Sequence, residues 1–404
     1  MLDRQGNGQT EEAQARSERC DGPRAVLFVR PLSNETNCFG MAMELWKLQR
    51  ELLRFGKQIR EIPEDLINYI FATRRYDRTR LDLIRQFEGE LPKSDRIAIF
   101  LIFPKLGLLK SHLHTLAYFR SKGYATLVVS NLPLSEIDRN LLAENCWRIM
   151  ERPNFGYDFG GYRDGVLSLE GCLQSLERLV FINDSVWFPL PGSRDWLDDI
   201  EGLGVDFGGA ASNYGTSRPD LANFKSMKWS YSNSHSDFHV CSYALCLRSN
   251  VLRHSSFLSF WRDLRLTNKK KRTVRRGEIG FTQWALLNSF NVGTTLDIIN
   301  LDQELADQSE MRLREVADAL IIPENPRLEQ LWQGLTENPD TPRKDLEKLI
   351  LLAVALQGSS YSLAAYSIQE KGFPFLKKSP LKMSMQAQKN SRRILSKINL
   401  LDET

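Results

Sequence analysis

The chain has 404 residues, 42% of them hydrophobic and 26% charged, enough to close a sizeable core without disulfides or metals. Lysine and arginine number 54 against 50 acids, a net charge of +4 that excludes a polybasic binder and leaves no nucleic acid among the expected partners. No apolar run approaches the roughly 20 residues needed to cross a bilayer, and the six cysteines form no C-x-x-C pair, so a reducing cytoplasm fits the composition.

Residues 1–24 are polar and read as a disordered lead. Residues 25–95 read as a helical N-terminal region: apolar residues recur at helical spacing from Met41 to Phe55, Gly56 follows as a stop, and a second pattern runs from Pro63 to Phe87. At Arg96 the character changes. IAIFLIF, Ile97 to Phe103, is a continuous apolar run of the kind that forms a strand buried on both faces of a parallel sheet. Ser111 is the expected N-cap of the next helix, Gly123 stops it, and Tyr124 to Ser130 is again strand-like. A helix from Ser135 to Glu144, a short strand from Trp147 to Met150, a helix from Phe159 to Leu169 and a strand from Arg178 to Asn183 continue the alternation. These elements predict an α/β fold with a mostly parallel open sheet whose ligands bind at the carboxyl ends of the strands. The pattern then mixes, with VDFGGAA, the strand FHVCSYALCL and the helix SSFLSFWRDL. Residues 301–404 read as helices broken at Pro323, Pro326, Pro339 and Pro342, ending in a basic tail from Lys371.

Three segments carry chemistry. RPNFGYDFGGYRDG, Arg152 to Gly165, brings Asn154, Gly156, Asp158 and Arg163 to a strand-to-helix junction, where a backbone poor in Cβ atoms, an acceptor and a cation can contact a sugar nucleotide. Turn chemistry alone also accounts for these residues, with Asp158 as a helix N-cap. Asn183-Asp184-Ser185 ends a buried strand; Asp184 there can hold a divalent ion that neutralises a diphosphate, or the triplet is an ordinary turn. NKKKRTVRRG, Asn268 to Gly277, is expected as a flexible cationic loop that closes over a diphosphate, or as a solvated charge run. His235 and His239 have zinc-like spacing, but in a loop entering a strand that spacing loses its meaning; His239 stays a candidate acceptor-side contact. His112 and His114 stand two apart at a helix start and read as structural.

In their order and spacing, RIAIFLIF, ATLVVSN, NFGYDFGGYRDG, LVFINDS followed by Pro189, VDFGG, HVCSYALCL with SFLSFW, and GEIGFTQWALL make residues 96–292 resemble the rhamnan synthesis protein F family, glycosyltransferase-like proteins of bacterial cell-surface polysaccharide assembly. The resemblance implies a GT-A-like nucleotide-diphospho-sugar transferase domain over residues 96–300. It puts Asn183-Asp184-Ser185 in the place of an Asp-x-Asp motif, with Asp184 as ligand of Mg or Mn, although only one acid is kept. Asn154 and Gly156, with Arg163 downstream, look like the donor-binding loop of inverting family 2 glycosyltransferases, and Glu278 stands in the place of their general base. A carboxylate there takes the acceptor's proton; a helix first-turn glutamate is the alternative. The implied function is transfer of rhamnose or a similar deoxyhexose from a dTDP-rhamnose-like donor to a cell-surface or lipid-linked glycan, with inversion. A non-catalytic GT-A-like module that binds glycan or partner proteins is the other reading. The expected place is the cytoplasm, with the basic C-terminal tail resting on anionic lipid at the cytoplasmic face of the membrane.

Overall fold

A computed structural model describes residues 71–400. The expected polar lead and the helix from Met41 to Phe55 lie outside the described residues. Strands β1 (Arg85–Glu88), β2 (Arg96–Ile102), β3 (Ala125–Ser130), β4 (Arg148–Glu151) and β5 (Arg178–Asn183) are followed by β6 (Val186–Trp187), β7 (Phe207–Gly209), β8 (Ser212–Asn213), β9 (His239–Val240), β10 (Ala244–Arg248), β11 (Val292–Thr294) and β12 (Leu376–Lys377). Eight of them form one mostly parallel sheet in the order β1-β4-β3-β2-β5-β10-β7-β11. Strands β4, β3, β2 and β5 are mutually parallel, and only β1 and β10 run against their neighbours. Two small pairs, β6 with β12 and β8 with β9, stand apart from it.

The apolar runs are continuous because both faces of the sheet are covered. Side chains alternate along a strand, so Ile97, Ile99 and Leu101 of β2 enter one core with Leu127, Val129, Leu179 and Phe181. Ala98, Phe100 and Ile102 enter another, which they share with the helix Arg343–Gln357 through Leu346, Leu349 and Ile350. The C-terminal helices are thereby built onto one face of the sheet. Crossovers α1 (Lys110–Ser121), α2 (Glu136–Ala143) and α3 (Tyr157–Ser168) connect the parallel strands. Helix α3 approaches β2 closely: a Cβ at Gly161 would lie 2.3 Å from Leu101 Cδ1, so a larger residue there would have to push the buried Leu101 side chain aside.

Four local expectations are corrected. Among the described residues the helical pattern expected to reach Phe87 ends at residue 79, and Arg85–Glu88 then pairs with β4 as an edge strand. Helix α1 starts at Lys110 rather than after Ser111, because the His112 ring accepts the Leu109 N–H (3.2 Å) and does the capping. The strand expected over FHVCSYALCL is interrupted at Cys241–Tyr243, which separates β9 from β10. The cationic run NKKKRTVRRG is helical, as α4 (Lys270–Val274) and a π-turn over Arg275–Ile279 that leads into α5 (Gly280–Leu287).

The basic tail folds as α6 (Met385–Lys397). Its Ile394 and Leu395 are buried with Trp187, Leu190 and Ile321, so they face the chain and not lipid. No helix among the described residues is long and apolar enough to cross a membrane.

Candidate functional site

The order β4-β3-β2-β5 reverses the direction of winding between β2 and β5. In an open α/β sheet such a switch point leaves a crevice beyond the carboxyl ends of the two strands. Asp184 sits at that point. Its N–H donates to Leu101 O of β2 (3.0 Å), and its Oδ2 accepts the Phe103 N–H (2.7 Å), so backbone and side chain together tie the end of β5 to the end of β2. His112 Nε2 lies 3.4 Å from the same oxygen. Since Nδ1 of that ring is used as an acceptor, the geometry assigns the proton to Nε2, on the side of the ring that faces Asp184 without closing a hydrogen bond to it.

Asn183, the buried last residue of β5, donates through Nδ2 to Asp158 Oδ2 (3.1 Å) and through its backbone to Tyr243 O (3.2 Å). Asp158 lies in the first turn of α3. The N-cap is Gly156 and not Asp158. Burial pushes the Asp158 carboxyl up to about 6, and Glu278 and Asp184 add to the rise while Lys377 and Lys270 oppose it. One turn further along α3, Tyr162 donates to Ser242 O (2.9 Å).

Glu278 belongs to the π-turn, an irregularity that recurs at functional sites. Its Oε1 accepts the Ser242 N–H (2.7 Å) and its Oε2 lies 3.8 Å from His239 Nε2. His239 Nδ1 is 2.7 Å from the Asp237 carbonyl, which can only accept, so Nδ1 carries the proton. Topology explains the meeting. Because β10 runs antiparallel to β5, Ala244 pairs with Ile182, and Ser242 and Tyr243 hang over the edge where Asn183 ends. The thiol of Cys241 in the same turn is pushed by burial up to about 12 and stays protonated.

Arg163, expected at the donor, is buried and spends both terminal nitrogens on Asp77 (2.8 Å each) and Nε on Trp261 O (3.0 Å). Five residues after Asp158 on a helix, it points about 140° away from that carboxylate. Gly156 has φ 77° and its N–H donates to Asn268 Oδ1 (3.1 Å); a Cβ there would lie 2.9 Å from Leu266 Cδ1, so this glycine shapes the turn. Asn154 is exposed in the loop before α3. His235 stacks on Tyr214 with ring centroids 5.6 Å apart.

Two residues escaped the sequence reading. His112 read as structural because nothing nearby in the chain marks its carboxylate partner. Lys377 lies opposite Val186 in the β6–β12 pair, two residues past Asp184, and its Nζ sits 3.8 Å from the centroid of the Tyr243 ring.

The arrangement does not fit a resident divalent cation. One oxygen of Asp184 is taken by a backbone N–H and faced by His112, and no group of three His, Cys, Asp or Glu among the described residues could hold a metal.

The Asp158 carboxyl gives a pH signature. Between its ordinary value of 3.8 and about 6, the folded chain keeps a proton that the unfolded chain has lost, so this group's contribution to stability is full below 3.8 and falls as pH rises to about 6. Asp158→Asn is expected to melt near the wild type at pH 4 and above it at pH 8. Melting curves of both at the two pH values check this, and a wild type that is the more stable at pH 8 would contradict it.

A family model described as rhamnan synthesis protein F matches residues 126–327, half of the chain. A protein of Sinorhizobium fredii (strain NBRC 101917 / NGR234), described as uncharacterized protein y4gN, is 35% identical over 251 residues, 61% of this chain and 60% of that one. The match thus spans less than two thirds of that relative. Among solved structures, core-mannan synthase A (CmsA/Ktr4) from Aspergillus fumigatus in its Mn/GDP form is similar at 9% identity and a TM-score of 0.26, over 48% of this chain and 72% of that one. The galactosyltransferase LgtC, in complex with donor and acceptor sugar analogs, is similar at 12% identity and a TM-score of 0.26, over 44% and 69%. At such scores no residue's role is carried across.

Proposed function

We propose, since the chain belongs to the rhamnan synthesis protein F family, that the β2–β5 edge is the donor site of a GT-A-like glycosyltransferase. The donor is a nucleoside-diphosphate sugar, dTDP-rhamnose or a similar deoxyhexose in keeping with the family's description, and the acceptor is a hydroxyl of a cell-surface or lipid-linked glycan. Asp158 and Asp184 accept hydrogen bonds from the hydroxyls of the donor, and Asn183 keeps Asp158 in place. Glu278 takes the proton of the acceptor hydroxyl as its oxygen attacks the anomeric carbon from the face opposite the leaving group, which inverts the configuration. The observation that carries this reading is Glu278: its carboxylate is clamped by the Ser242 N–H and acts electrostatically on Asp158, so an acid able to accept a proton shares one edge with groups able to hold a sugar. The four described cysteines are unpaired, which suits a cytoplasmic site.

A non-catalytic binding module is the second reading, favoured by the single acid in Asn183-Asp184-Ser185 and the lack of a three-ligand group among the described residues. A thermal-shift panel of the full chain with dTDP-rhamnose and other nucleoside-diphosphate sugars, with and without Mg²⁺ or Mn²⁺, tests both. A ligand at a hundred times its Kd adds about 2.7 kcal/mol of stability. We expect at least one nucleotide sugar to raise the melting temperature and, with a glycan acceptor, to release its nucleoside diphosphate. Binding without release in the presence of acceptor supports the module, and no shift with any nucleotide sugar overturns the donor site.

A further inference from the structure

At this edge the carboxylates of Glu278 and Asp184 both act on that of Asp158. A diphosphate brought among them carries more negative charge still, so a cation must accompany it, and the residues do not fit a resident metal. Lys377 answers that requirement by position. Lys378 donates its backbone N–H to Ser185 O (2.9 Å), which fixes β12 against the chain immediately after Asp184. The Lys377 side chain lies along the Tyr243 ring, and Tyr243 O accepts the Asn183 N–H. No carboxylate among the described residues forms a salt bridge with Lys377, and its ammonium group is held by aromatic faces, 3.8 Å from the Tyr243 ring centroid and 5.9 Å from that of Tyr361.

We infer that Lys377 is the cation that pairs with the donor's diphosphate, so that this chain binds and expels a nucleoside diphosphate without a divalent metal. The inference rests on the donor-site reading above. In the transfer, the bond between the acceptor oxygen and the anomeric carbon forms as the bond between that carbon and the phosphate oxygen breaks. The electron pair of the broken bond leaves with the diphosphate, whose added negative charge is met by the Lys377 ammonium, and the hydroxyl proton goes to Glu278. A preorganised cation aimed at the developing charge stabilises the transition state without moving.

The test uses the full chain in EDTA, titrated by calorimetry with dTDP, UDP and GDP, and with the corresponding monophosphates. The wild type is expected to bind at least one diphosphate with the same Kd in EDTA as in Mn²⁺. Lys377→Met is expected to weaken that diphosphate by about 10- to 100-fold, the scale of losing one desolvated charge partner, and the monophosphate by less than about threefold. Lys377→Arg, which keeps the charge, recovers most of the loss, and Lys389→Met on the exposed side of α6 changes nothing. Equal affinity of Lys377→Met and wild type, an equal loss for mono- and diphosphate, or wild-type binding that EDTA abolishes would each overturn the role of Lys377 while leaving the donor site standing. If no nucleotide binds the wild type in either buffer, the donor-site reading falls as well. Should Lys377→Met not fold, the comparison of Lys377→Arg with Lys377→Gln decides in its place.

Discussion

Glu278→Gln is expected to bind nucleotide sugar within about threefold of the wild type and to turn over ~10² to 10⁴ more slowly, the usual contribution of a positioned base. The substitution suits the local geometry. The amide oxygen still accepts the Ser242 N–H, and the amide NH₂ is left facing His239 Nε2, whose lone pair is free because Nδ1 carries the ring proton. Fold and donor contacts are thereby kept while the proton acceptor is lost. A glutamate serving only as a helix-terminus charge predicts normal turnover and a stability loss of about 0.3 to 1 kcal/mol. Transfer rate and melting temperature on this one variant separate the two, and an active, slightly less stable protein ends the case for the base.

Arg152→Met is expected to cost about 3–5 kcal/mol of stability, the largest effect on folding anticipated here. Arg152 follows β4 and is buried; its Nε donates to Asp164 Oδ2 (2.6 Å), which also accepts from Tyr76 OH (2.7 Å), and its other nitrogens reach Asn131 beyond β3 and Phe155 O. Without the guanidinium, Asp164 is a buried charge whose remaining cation, Arg163, stands 3.6 Å from its other oxygen and is engaged by Asp77. Replacing both partners by apolar groups removes the penalty as well as the attraction, so Arg152→Met with Asp164→Leu should regain most of the loss. Urea midpoints of the two variants check this; a single variant as stable as the double would show that the pair is not the source.

The sheet was legible in the sequence because strands covered on both faces leave a distinctive mark, the unbroken apolar runs of β2, β3 and β5. The edge-strand nature of Arg85–Glu88 was not, since a short strand with one free side carries too little apolar patterning to separate from a helix end. The location of Asp184, directly after a buried strand, was legible as well. Arg163 was not, because it lies within the helix that follows Gly156, and helical rotation sends residues five apart to different neighbours. His112 and Lys377 reach the site through long-range pairing alone, which no local spacing encodes.

The pairing of β6 with β12 also orders events in time. Lys378 Nζ reaches Ser111 Oγ (3.1 Å) across 267 positions of sequence, and contacts so distant form late because a long loop must close before they give anything back. During synthesis the sheet that carries Asn183 and Asp184 emerges, and can collapse, well before residue 377 leaves the ribosome. On the role inferred for Lys377, a nascent chain holds its carboxylates without their cation and repels a diphosphate. On that role, full affinity for the donor is reached only once β12 has docked on β6.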